Sequence, residues 1–468
     1  MPSTINLIAA YARIYWAKGI FDTINTFRIT PLVSKPANTM STTPVHTSKP
    51  ANTALTPLTS AERSFGFRDH TALWLSLGVG LLVMQVGAYL VPSIGPQQAA
   101  LVIVLGSILG AGMLAWTAKL GCDTGLSSSG LMHATYGSSF AKLPVLLNMV
   151  QLVGWTTFEL VVMRDGTVAI ARQSGGFAAN WWPVLATLLW GAVLIALISG
   201  SMTQLVRKFI GRFGLPLVIA SLIWLTWQFL GKANAQGLSA IWNKPGTGAM
   251  STMQALDLVI AMPISWLPLV ADFARHGLSG RTTLRGTWLG YAVANIWCYS
   301  LGVLIAITTP STDLVAALLL AQGGLIALGL ILIDEVDNAY GDVYSGAVAG
   351  HSLKPSWSVR RIGMGFAAVC TGLALVLPMH ALEPFLLMLS SVFIPLYGVI
   401  LARLVGKTNV AALVTERQVN YTAVLIWFSG VVFYHAMAKF APAWGAAIPT
   451  LVLTFVLAKL LSNSAKKT

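Results

Sequence analysis

Acidic and amide side chains lie within stretches of the sequence that are otherwise almost free of charge. In one stretch Glu159 follows Trp155 by one helical turn, so both side chains share a face of a helix. In another, Asp334, Asn338 and Asp342 are spaced at i, i+4 and i+8, which places them on a single stripe. A carboxylate is expensive in lipid, so acidic groups at that depth usually face a cavity and mark a transport route or a proton site.

The composition of the chain indicates that these residues lie within membrane-spanning stretches. The chain has 468 residues, of which 56% are hydrophobic and 9% are charged, and its mean hydropathy is +0.73. A soluble protein carries about a quarter charged residues, so the composition predicts an all-α polytopic membrane protein. Twelve apolar stretches approach the length of a membrane span: 72–92, 97–118, 143–163, 181–199, 210–230, 255–271, 287–307, 315–340, 362–378, 384–404, 421–437 and 443–461.

Basic residues alternate between the connections of these spans. The even-numbered connections hold fourteen Lys and Arg residues, against five in the odd-numbered ones. The positive-inside rule therefore predicts that both termini are cytoplasmic. We expect the membrane to be the inner membrane of a bacterium. The net charge of +14 is explained as a topology signal and indicates no nucleic-acid partner. The five residues of the odd-numbered connections are Arg164, Arg172, Lys232, Lys244 and Lys439.

The ends of the chain differ from its middle. Residues 1–65 are polar and rich in Thr, Pro and Ser, and the string at 34–39 recurs at 48–53. Such a composition predicts a disordered cytoplasmic tail, and Met40 is an alternative start within it. We expect a single membrane domain over residues 66–461, followed by a short cytoplasmic tail over 462–468.

Two of the spans carry residues that interrupt helices. Pro263 and Pro268 flank Ser265 in span six, and proline removes a backbone donor and clashes with the preceding turn. Glycines at 78 and 80 permit a similar interruption in span one. Because interrupted helices at corresponding positions of two halves are typical of inverted-repeat transporters, the pattern predicts a substrate site near the middle of the membrane.

Several short motifs, in this order, are similar to one known family. Gln151 to Trp155 resembles its Q-x-x-G-W, Ala271 to Arg275 resembles the end of its sixth helix, and Asp337 to Ala339 resembles its D-N-A. On these motifs the chain resembles the class 1 nucleobase:cation symporters, in the cytosine-permease branch, and most resembles the CytX-like hydroxymethylpyrimidine transporters. The resemblance runs from residue 75 to residue 365 and implies a LeuT-like fold. In that fold two five-helix inverted repeats are followed by two C-terminal helices, and helices one and six are interrupted.

The resemblance also implies which side chains would bind a substrate. Trp155 matches the tryptophan that stacks on the substrate ring, and Asn338 matches a substrate-binding amide that can both donate and accept. Ser265 matches the serine of the helix-six interruption. From its position, Glu159 would accept a hydrogen bond from an exocyclic amine or, when protonated, donate to a ring nitrogen. Trp266 would supply a second stacking face, because the aromatic residue of the family pattern is missing just before Ser265.

Two glutamines are further candidates for substrate binding. Gln151 begins the motif that ends at Trp155. Gln85 lies in the interrupted first helix, where a buried amide can reach the edge of a heterocycle or join helices together. The sequence leaves these two roles of Gln85 open.

Three acidic residues are candidates for ion coupling. In the family, two hydroxyl residues just before the D-N-A motif help to hold sodium, and Asp334 and Glu335 stand at those positions here. Together with Asp337 they crowd carboxylates that cannot all be ionised in a low dielectric, so one of them could carry a proton. Alternatively Asp334 is a strong sodium ligand. The coupling ion is thus sodium or proton, and no organic cofactor is expected.

These observations favour a secondary importer of a small aminopyrimidine, with hydroxymethylpyrimidine for thiamine precursor salvage as the first candidate. A cytosine or other nucleobase permease is the alternative. The single asymmetric set of polar residues disfavours a channel. An enzyme is also disfavoured, because His435 is the one histidine deep within a predicted span and has no obvious partner. We expect a monomer.

Overall fold

The computed structural model describes residues 53–175, 179–200, 214–310, 313–407 and 409–464. Within these residues the secondary structure is helical, apart from one isolated β-bridge between Phe65 and Gly277. The helices are α1 (Phe67–Ser76), α2 (Leu81–Leu90), α3 (Pro96–Thr124), α4 (Ser128–Tyr136), α5 (Lys142–Gln173), α6 (Trp182–Ile198), α7 (Leu215–Ala235), α8 (Leu238–Trp242), α9 (Thr252–Ser265), α10 (Leu267–Ala274), α11 (Gly280–Thr308), α12 (Leu314–Leu319), α13 (Gly324–Leu353), α14 (Val359–Val376), α15 (Leu382–Leu404), α16 (Leu413–Glu416), α17 (Tyr421–Phe440) and α18 (Ala447–Ser464).

The lengths of these helices agree with the predicted spans. Eight described spans are long and apolar enough to cross a membrane, or nine when the bent pair α1–α2 is counted as one. Helices α6 and α18 are shorter apolar helices, and α13 carries the acidic cluster. Span eight was predicted at 315–340, which is wrong at its boundaries. Gly323, at φ +70°, separates the short α12 from α13, so the long helix begins nine residues later and ends at Leu353.

The first predicted span is sharply broken. Helices α1 and α2 are bent by 63° across a break of four residues. The sixth span is interrupted more gently, since only Trp266 separates α9 from α10 and the pair still forms one span over Thr252–Ala274. Pro263 packs directly on α3, where a Cβ at Gly110 would lie 2.3 Å from its ring. Both interruptions that were predicted from Pro and Gly are therefore present.

The chain preceding α1 packs on one end of the bundle. Residues 53–65 were expected to belong to a disordered tail, but the structure places Phe65 and Ala54 in the buried interior. The Leu58 N–H donates to Gly125 O at 3.0 Å, and the Arg63 guanidinium donates to Cys122 O at 2.8 Å. The domain thus begins earlier than residue 66, because these anchors outweigh the polar composition of the segment. The predicted tail over residues 1–52 lies outside the described residues.

The end of the bundle covered by residues 53–65 is called the N-terminal face here, and the other end is called the opposite face. At the C-terminus, α18 extends to Ser464, three residues beyond the expected end of the domain. The last four residues of the predicted C-terminal tail, 465–468, lie outside the described part of the chain.

A candidate substrate and ion site between two broken helices

A small central cavity lies where the two broken helices meet α5 and α13. Its walls are apolar except for a few side chains, as is common for sites that bind small molecules. The apolar side chains come mainly from the ends of α1, α2, α9 and α10. The polar and aromatic residues and the glycine that line it are Gly80, Trp155, Glu159, Ser265, Trp266, Glu335, Asn338 and Asp342.

Trp155 is held in this cavity by aromatic neighbours. Its ring centroid lies 5.2 Å from that of Phe385 in a T-shaped contact and 6.2 Å from that of Phe158. Phe385 approaches α5 at Gly154, where a Cβ would lie 2.7 Å from the phenylalanine ring. The glycine next to Trp155 therefore lets a residue of α15 lock the indole in place.

Trp266 belongs to an aromatic layer on the side of the cavity toward the N-terminal face. The Trp74 ring lies 5.8 Å from Trp266 and 6.3 Å from Phe273, edge to face in both pairs. Phe273 in turn contacts Tyr344, with ring centroids 5.4 Å apart. This layer separates the cavity from the N-terminal face.

Several polar atoms around the cavity are buried and have no hydrogen-bond partner within the described residues. They are Nε1 of Trp155, Oε2 of Glu159, Oδ1 of Asn338 and Oδ2 of Asp342. The side chains that carry them are at most 5% exposed. Because buried polar atoms are nearly always paired, four unpaired atoms beside one cavity indicate a place for a polar ligand. Three are oxygens and one is an N–H, so that the cavity offers mainly acceptors.

Glu335 links the cavity to the first broken helix. One carboxylate oxygen accepts a hydrogen bond from the Leu81 N–H, at the start of α2. The other accepts from the Asn338 side chain at 3.2 Å, and the same Asn338 amide also lies 3.1 Å from Val79 O. Gly80 permits this approach, since a Cβ there would lie 3.0 Å from the carboxylate. An anion is favourable at a helix N-terminus, so Glu335 stabilises the break.

Asp334 and Asp337 lie behind the cavity, beside the last residue of α1. The Ser76 hydroxyl lies 2.9 Å from Asp334 Oδ1 and 3.3 Å from Asp337 Oδ2. The remaining oxygen of each carboxylate is buried without a partner in the described structure. One hydroxyl has one hydrogen to donate, so both contacts can be good hydrogen bonds only when one carboxyl group holds a proton. Among the described residues no set of three or more His, Cys, Asp and Glu side chains is arranged around one metal position.

The second interruption is held by neutral groups. The Gln151 side-chain amide donates to Ser265 O at 3.2 Å and to Asn148 Oδ1 at 3.0 Å. Asn148 donates to Pro268 O at 2.9 Å, while the Ser265 hydroxyl turns back to Met262 O at 2.7 Å. Gln151 therefore supports the wall of the cavity from behind and does not line it.

A wider cavity of about 1300 Å³ lies between the central cavity and the opposite face. Leu82 lines both cavities and separates them. Gln85 lines the outer cavity, where its amide donates to the Tyr89 hydroxyl at 2.6 Å. Asp165 and His380 belong to the outer wall, with the two side chains 3.7 Å apart. The outer cavity is thus polar and leads toward the central one.

At the N-terminal face, hydrogen bonds join segments that are distant in the sequence. Asp272, at the end of α10, accepts a hydrogen bond from the Ser128 N–H at 2.9 Å, at the start of α4. Arg275 donates to Thr53 O at 3.2 Å. Burial lowers the pKa of His276, in the turn that follows α10, to about 4, so its ring is neutral at pH 7. The described conformation has its wide cavity toward the opposite face and a packed N-terminal face.

The structure thus brings together five of the residues that were predicted to bind substrate: Trp155, Glu159, Ser265, Trp266 and Asn338. It places Gln85 in the outer cavity and Gln151 behind Ser265. Of the ion-coupling candidates, Glu335 lines the cavity, and Asp334 and Asp337 share Ser76. Two participants were absent from the predicted set. Asp342 was already visible as the third residue of the stripe, whereas no sequence signal pointed to Ser76.

A helical bundle in which two broken spans meet at a central cavity is the architecture of secondary transporters. A family model described as "Permease for cytosine/purines, uracil, thiamine, allantoin" matches residues 57–461. The chain therefore belongs to this family of nucleobase cation symporters, and the predicted family is confirmed. Like the fold, the family is that of transporters.

Known relatives agree with this assignment. The purine-cytosine permease FCY2 of Saccharomyces cerevisiae is 22% identical over 227 residues, which is 46% of this chain and 40% of the yeast protein. The match thus spans less than half of that permease. The structure of Mhp1, a nucleobase-cation-symport-1 family transporter solved with bromovinylhydantoin bound, gives a TM-score of 0.75 at 17% identity and covers 88% of this chain and 94% of Mhp1. MhsT in complex with L-phenylalanine gives 0.58 at 16% identity, covering 83% and 98%. These similarities confirm the LeuT-like fold.

Proposed function

We propose that the protein imports a small aminopyrimidine by cation symport, with hydroxymethylpyrimidine, a thiamine precursor, as the first candidate. The observation that carries this proposal is the set of unpaired acceptor oxygens on Glu159, Asn338 and Asp342. A ligand rich in N–H and O–H groups satisfies such a set, and an aminopyrimidine with a hydroxymethyl group has both. The indoles of Trp155 and Trp266 suit a flat ring.

In this proposal Glu159 pairs with the edge of the ring. Its free oxygen accepts from the exocyclic amine and, when the carboxyl group is protonated, its O–H donates to the adjacent ring nitrogen. Asn338 and Asp342 bind the remaining donors, while Ser265 and the backbone beside it border the ring from the second interruption. Gln85 would meet the substrate earlier, in the outer cavity.

Cytosine is the second candidate substrate. It has a ring carbonyl that needs a donor, and the Trp155 Nε1–H is the one unpaired donor among the four atoms beside the cavity. The family description and the name of the yeast relative both include cytosine. Cytosine would therefore place its carbonyl toward Trp155 and its amine toward Glu159.

The cation would be held beside Ser76. The Asp334–Ser76–Asp337 arrangement is satisfied when one carboxyl group holds a proton, which favours proton over sodium as the coupling ion. Sodium would instead bind the two unpaired carboxylate oxygens directly. Glu335 lies between this pair and the substrate cavity, so occupancy of the ion site can influence the break between α1 and α2.

The N-terminal face would be cytoplasmic, in a bacterial inner membrane. Arg281, Arg285, Arg360 and Arg361 begin helices that start at that face, and the positive-inside rule places such residues in the cytoplasm. The wide outer cavity would then open to the outside, as an importer requires before it binds its substrate. We propose a monomer as the transporting unit.

The test is uptake of labelled hydroxymethylpyrimidine into proteoliposomes, with proton and sodium gradients imposed separately and with cytosine as a competitor. Accumulation that follows a proton gradient and resists cytosine supports the proposal. Accumulation that needs sodium overturns the proton assignment, and cytosine uptake moves the protein to the second candidate. Uptake of neither compound under either gradient refutes both substrates.

Glu159→Gln tests the placement of the ring. The amide keeps the size of the side chain but removes its negative charge and one of its two acceptor oxygens, so uptake of the aminopyrimidine should fall by about tenfold or more. Asp123→Asn, at an exposed position at the N-terminal face, should leave uptake unchanged. Equal uptake by the wild type and Glu159→Gln, with both proteins folded, would remove Glu159 from the site.

A further inference from the structure

A second polar cavity lies at the N-terminal face, away from the broken helices. It has an empty volume of about 980 Å³, and three basic side chains line it: Arg403, Lys407 and Arg417. Among the described residues that line it, Glu416 is the one acidic residue. The formal charges of these four described residues therefore sum to plus two.

The Glu416 carboxylate is only loosely paired with its neighbour Arg417. Glu416 lies 3.8 Å from the Arg417 Nε atom, at the outer limit for an ion pair, and both side chains are at least half exposed. An exposed pair of this kind contributes little. Arg403, at the end of α15, is half-buried, so its charge is held within the cavity wall. The cavity thus suits an anion.

The wall of this cavity is fixed by backbone contacts between distant segments. The Ser138 N–H donates to Arg417 O at 2.8 Å, and the Asn420 N–H donates to Tyr136 O at 2.9 Å. The Asn420 side chain accepts from the Ala423 N–H and so caps the start of α17. Asn420 and its neighbour Thr422 both line the cavity, and a helix N-terminus adds to the attraction of an anion.

Apolar side chains continue from the same cavity along the outside of the bundle. Leu461 of α18 lines the cavity and is 46% exposed. Leu425 and Phe428, in the first two turns of α17, are 66% and 46% exposed. An anion with a hydrocarbon chain would place its charge in the cavity and its chain against these residues, whereas a soluble anion would use only the charged part.

We propose that this cavity binds the phosphate-bearing headgroup of an anionic membrane lipid. Basic pockets between membrane helices on the cytoplasmic side are suited to such headgroups. The guanidinium groups of Arg403 and Arg417 would bind the phosphate oxygens. The proposal does not depend on which substrate the protein transports.

Binding there would also affect helix α4. The end of α4 lines the cavity, while its start donates a hydrogen bond to Asp272 at the end of the second broken span. The Tyr136 hydroxyl further joins α4 to Leu396 O of α15 at 2.9 Å. The lipid would therefore hold in place the helix that closes the N-terminal face around α10.

The experiment measures the thermal stability of the delipidated, detergent-purified protein with added phosphatidylglycerol or phosphatidylcholine. We expect phosphatidylglycerol to raise Tm by about 2–4 °C more than phosphatidylcholine does. The double variant Arg403→Gln, Arg417→Gln should lose most of this difference. The matched control Arg281→Gln, Arg285→Gln removes two exposed charges at the same face and should keep it. If the double variant is unfolded in phosphatidylcholine, Arg417→Gln alone, at an exposed side chain, takes its place.

A separate arm replaces the lipid with millimolar inorganic phosphate. The lipid assignment is supported when phosphate gives no comparable shift. A phosphate shift as large as that of phosphatidylglycerol, and lost in the same variants, would overturn it in favour of a soluble anion. A phosphatidylglycerol effect that is equal in all variants, or lost equally in the control, would overturn the site itself.

Discussion

The two broken spans occupy corresponding places in the fold, yet different chemistry holds them open. The break between α1 and α2 bends the chain by 63° over four residues, whereas Trp266 alone interrupts the span formed by α9 and α10. At the first break the Glu335 carboxylate accepts the Leu81 N–H. At the second, the neutral amide of Gln151 donates to Ser265 O.

This difference has a consequence for coupling. A carboxylate loses its negative charge when it binds a proton, and its charge attracts a cation, whereas an amide is neutral throughout. Glu335 is also next to Asp334 in α13. Asp334 and Asp337 both contact the hydroxyl of Ser76, the last residue of α1. We therefore expect the first break to respond to the coupling ion and the second to serve as a fixed wall of the substrate site.

The largest effect should come from Glu335→Ala, which removes the anchor of the first break. The Leu81 N–H and the Asn338 amide would each lose an acceptor in the interior of the bundle, and a hydrogen bond to a charged group contributes about 1.5–3 kcal/mol. We expect uptake to be abolished and Tm to fall. Thermal unfolding of the purified protein and uptake into proteoliposomes measure the two effects.

Asp123→Ala is the matched control for this change, because Asp123 is exposed and belongs to neither break. Glu335→Gln keeps an acceptor oxygen for Leu81 without the charge, so it should recover much of the stability and little of the uptake. If Glu335→Ala transports normally, the first break does not depend on this carboxylate.

The next largest effect should be that of Asp334→Asn on accumulation. The amide cannot carry a proton and is a weaker cation ligand, so the ion would no longer bias the first break. Because a coupling free energy of 1–3 kcal/mol corresponds to about 5–150-fold, we expect gradient-driven accumulation to fall about tenfold. Exchange of labelled for unlabelled substrate at equilibrium, without a gradient, should change much less.

Asp123→Asn controls for the loss of an acidic residue, since Asp123 is an exposed partner of Lys119 at the N-terminal face. Equal losses of accumulation and exchange in Asp334→Asn would mean that Asp334 acts in substrate binding or folding, and the two breaks would then not differ in their response to the ion.

The sequence predicts those features of the two breaks that depend on residues close together in the chain, and it misses those that depend on contacts between distant residues. The prolines at 263 and 268 act locally and placed the second interruption correctly. Helical spacing acts within one helix and placed Asn338 on the same stripe as Asp342, although Asp342 was not included among the predicted site residues. The partnership of Ser76 with Asp334 joins residues 258 positions apart, and it depends on the packing of α1 against α13.

Two other predictions differ from the structure because they also depend on packing between distant residues. Gln85 reads as a site residue from its place in the first span, but the 63° bend directs α2 toward the outer cavity. Residues 53–65 have the composition of a disordered tail, yet single anchors such as Phe65 fix them in place. Composition averages over a window and does not register one buried side chain.

At the second break, Gln151→Leu should have a moderate effect on substrate affinity alone. It removes the donor to Ser265 O and to Asn148, and each uncharged hydrogen bond contributes about 0.5–1.5 kcal/mol. We expect KM for the substrate to rise about 3–10-fold, with an unchanged dependence on the coupling ion. Initial uptake rates over a matrix of substrate and cation concentrations separate the two.

Gln97→Leu, at an exposed position at the start of α3, is the control for this change. A shift in cation dependence for Gln151→Leu would contradict the division of roles between the breaks, because it would show that the amide-held break also responds to the ion.

The smallest effect should be that of Trp266→Phe, which changes the residue between α9 and α10 without changing their hydrogen bonds. The phenyl ring keeps an aromatic face toward the cavity but loses part of the edge-to-face contacts with Trp74 and Tyr291, whose rings lie 5.8 and 6.5 Å from the indole. Aromatic pairs contribute about 0.5–1.5 kcal/mol beyond burial, so KM should rise about 2–5-fold. Trp266→Ala, which removes the face entirely, should raise it further. If both variants bind substrate as the wild type does but need more cation, Trp266 reports on the ion through Trp74 and α1, and the second break is not a passive wall.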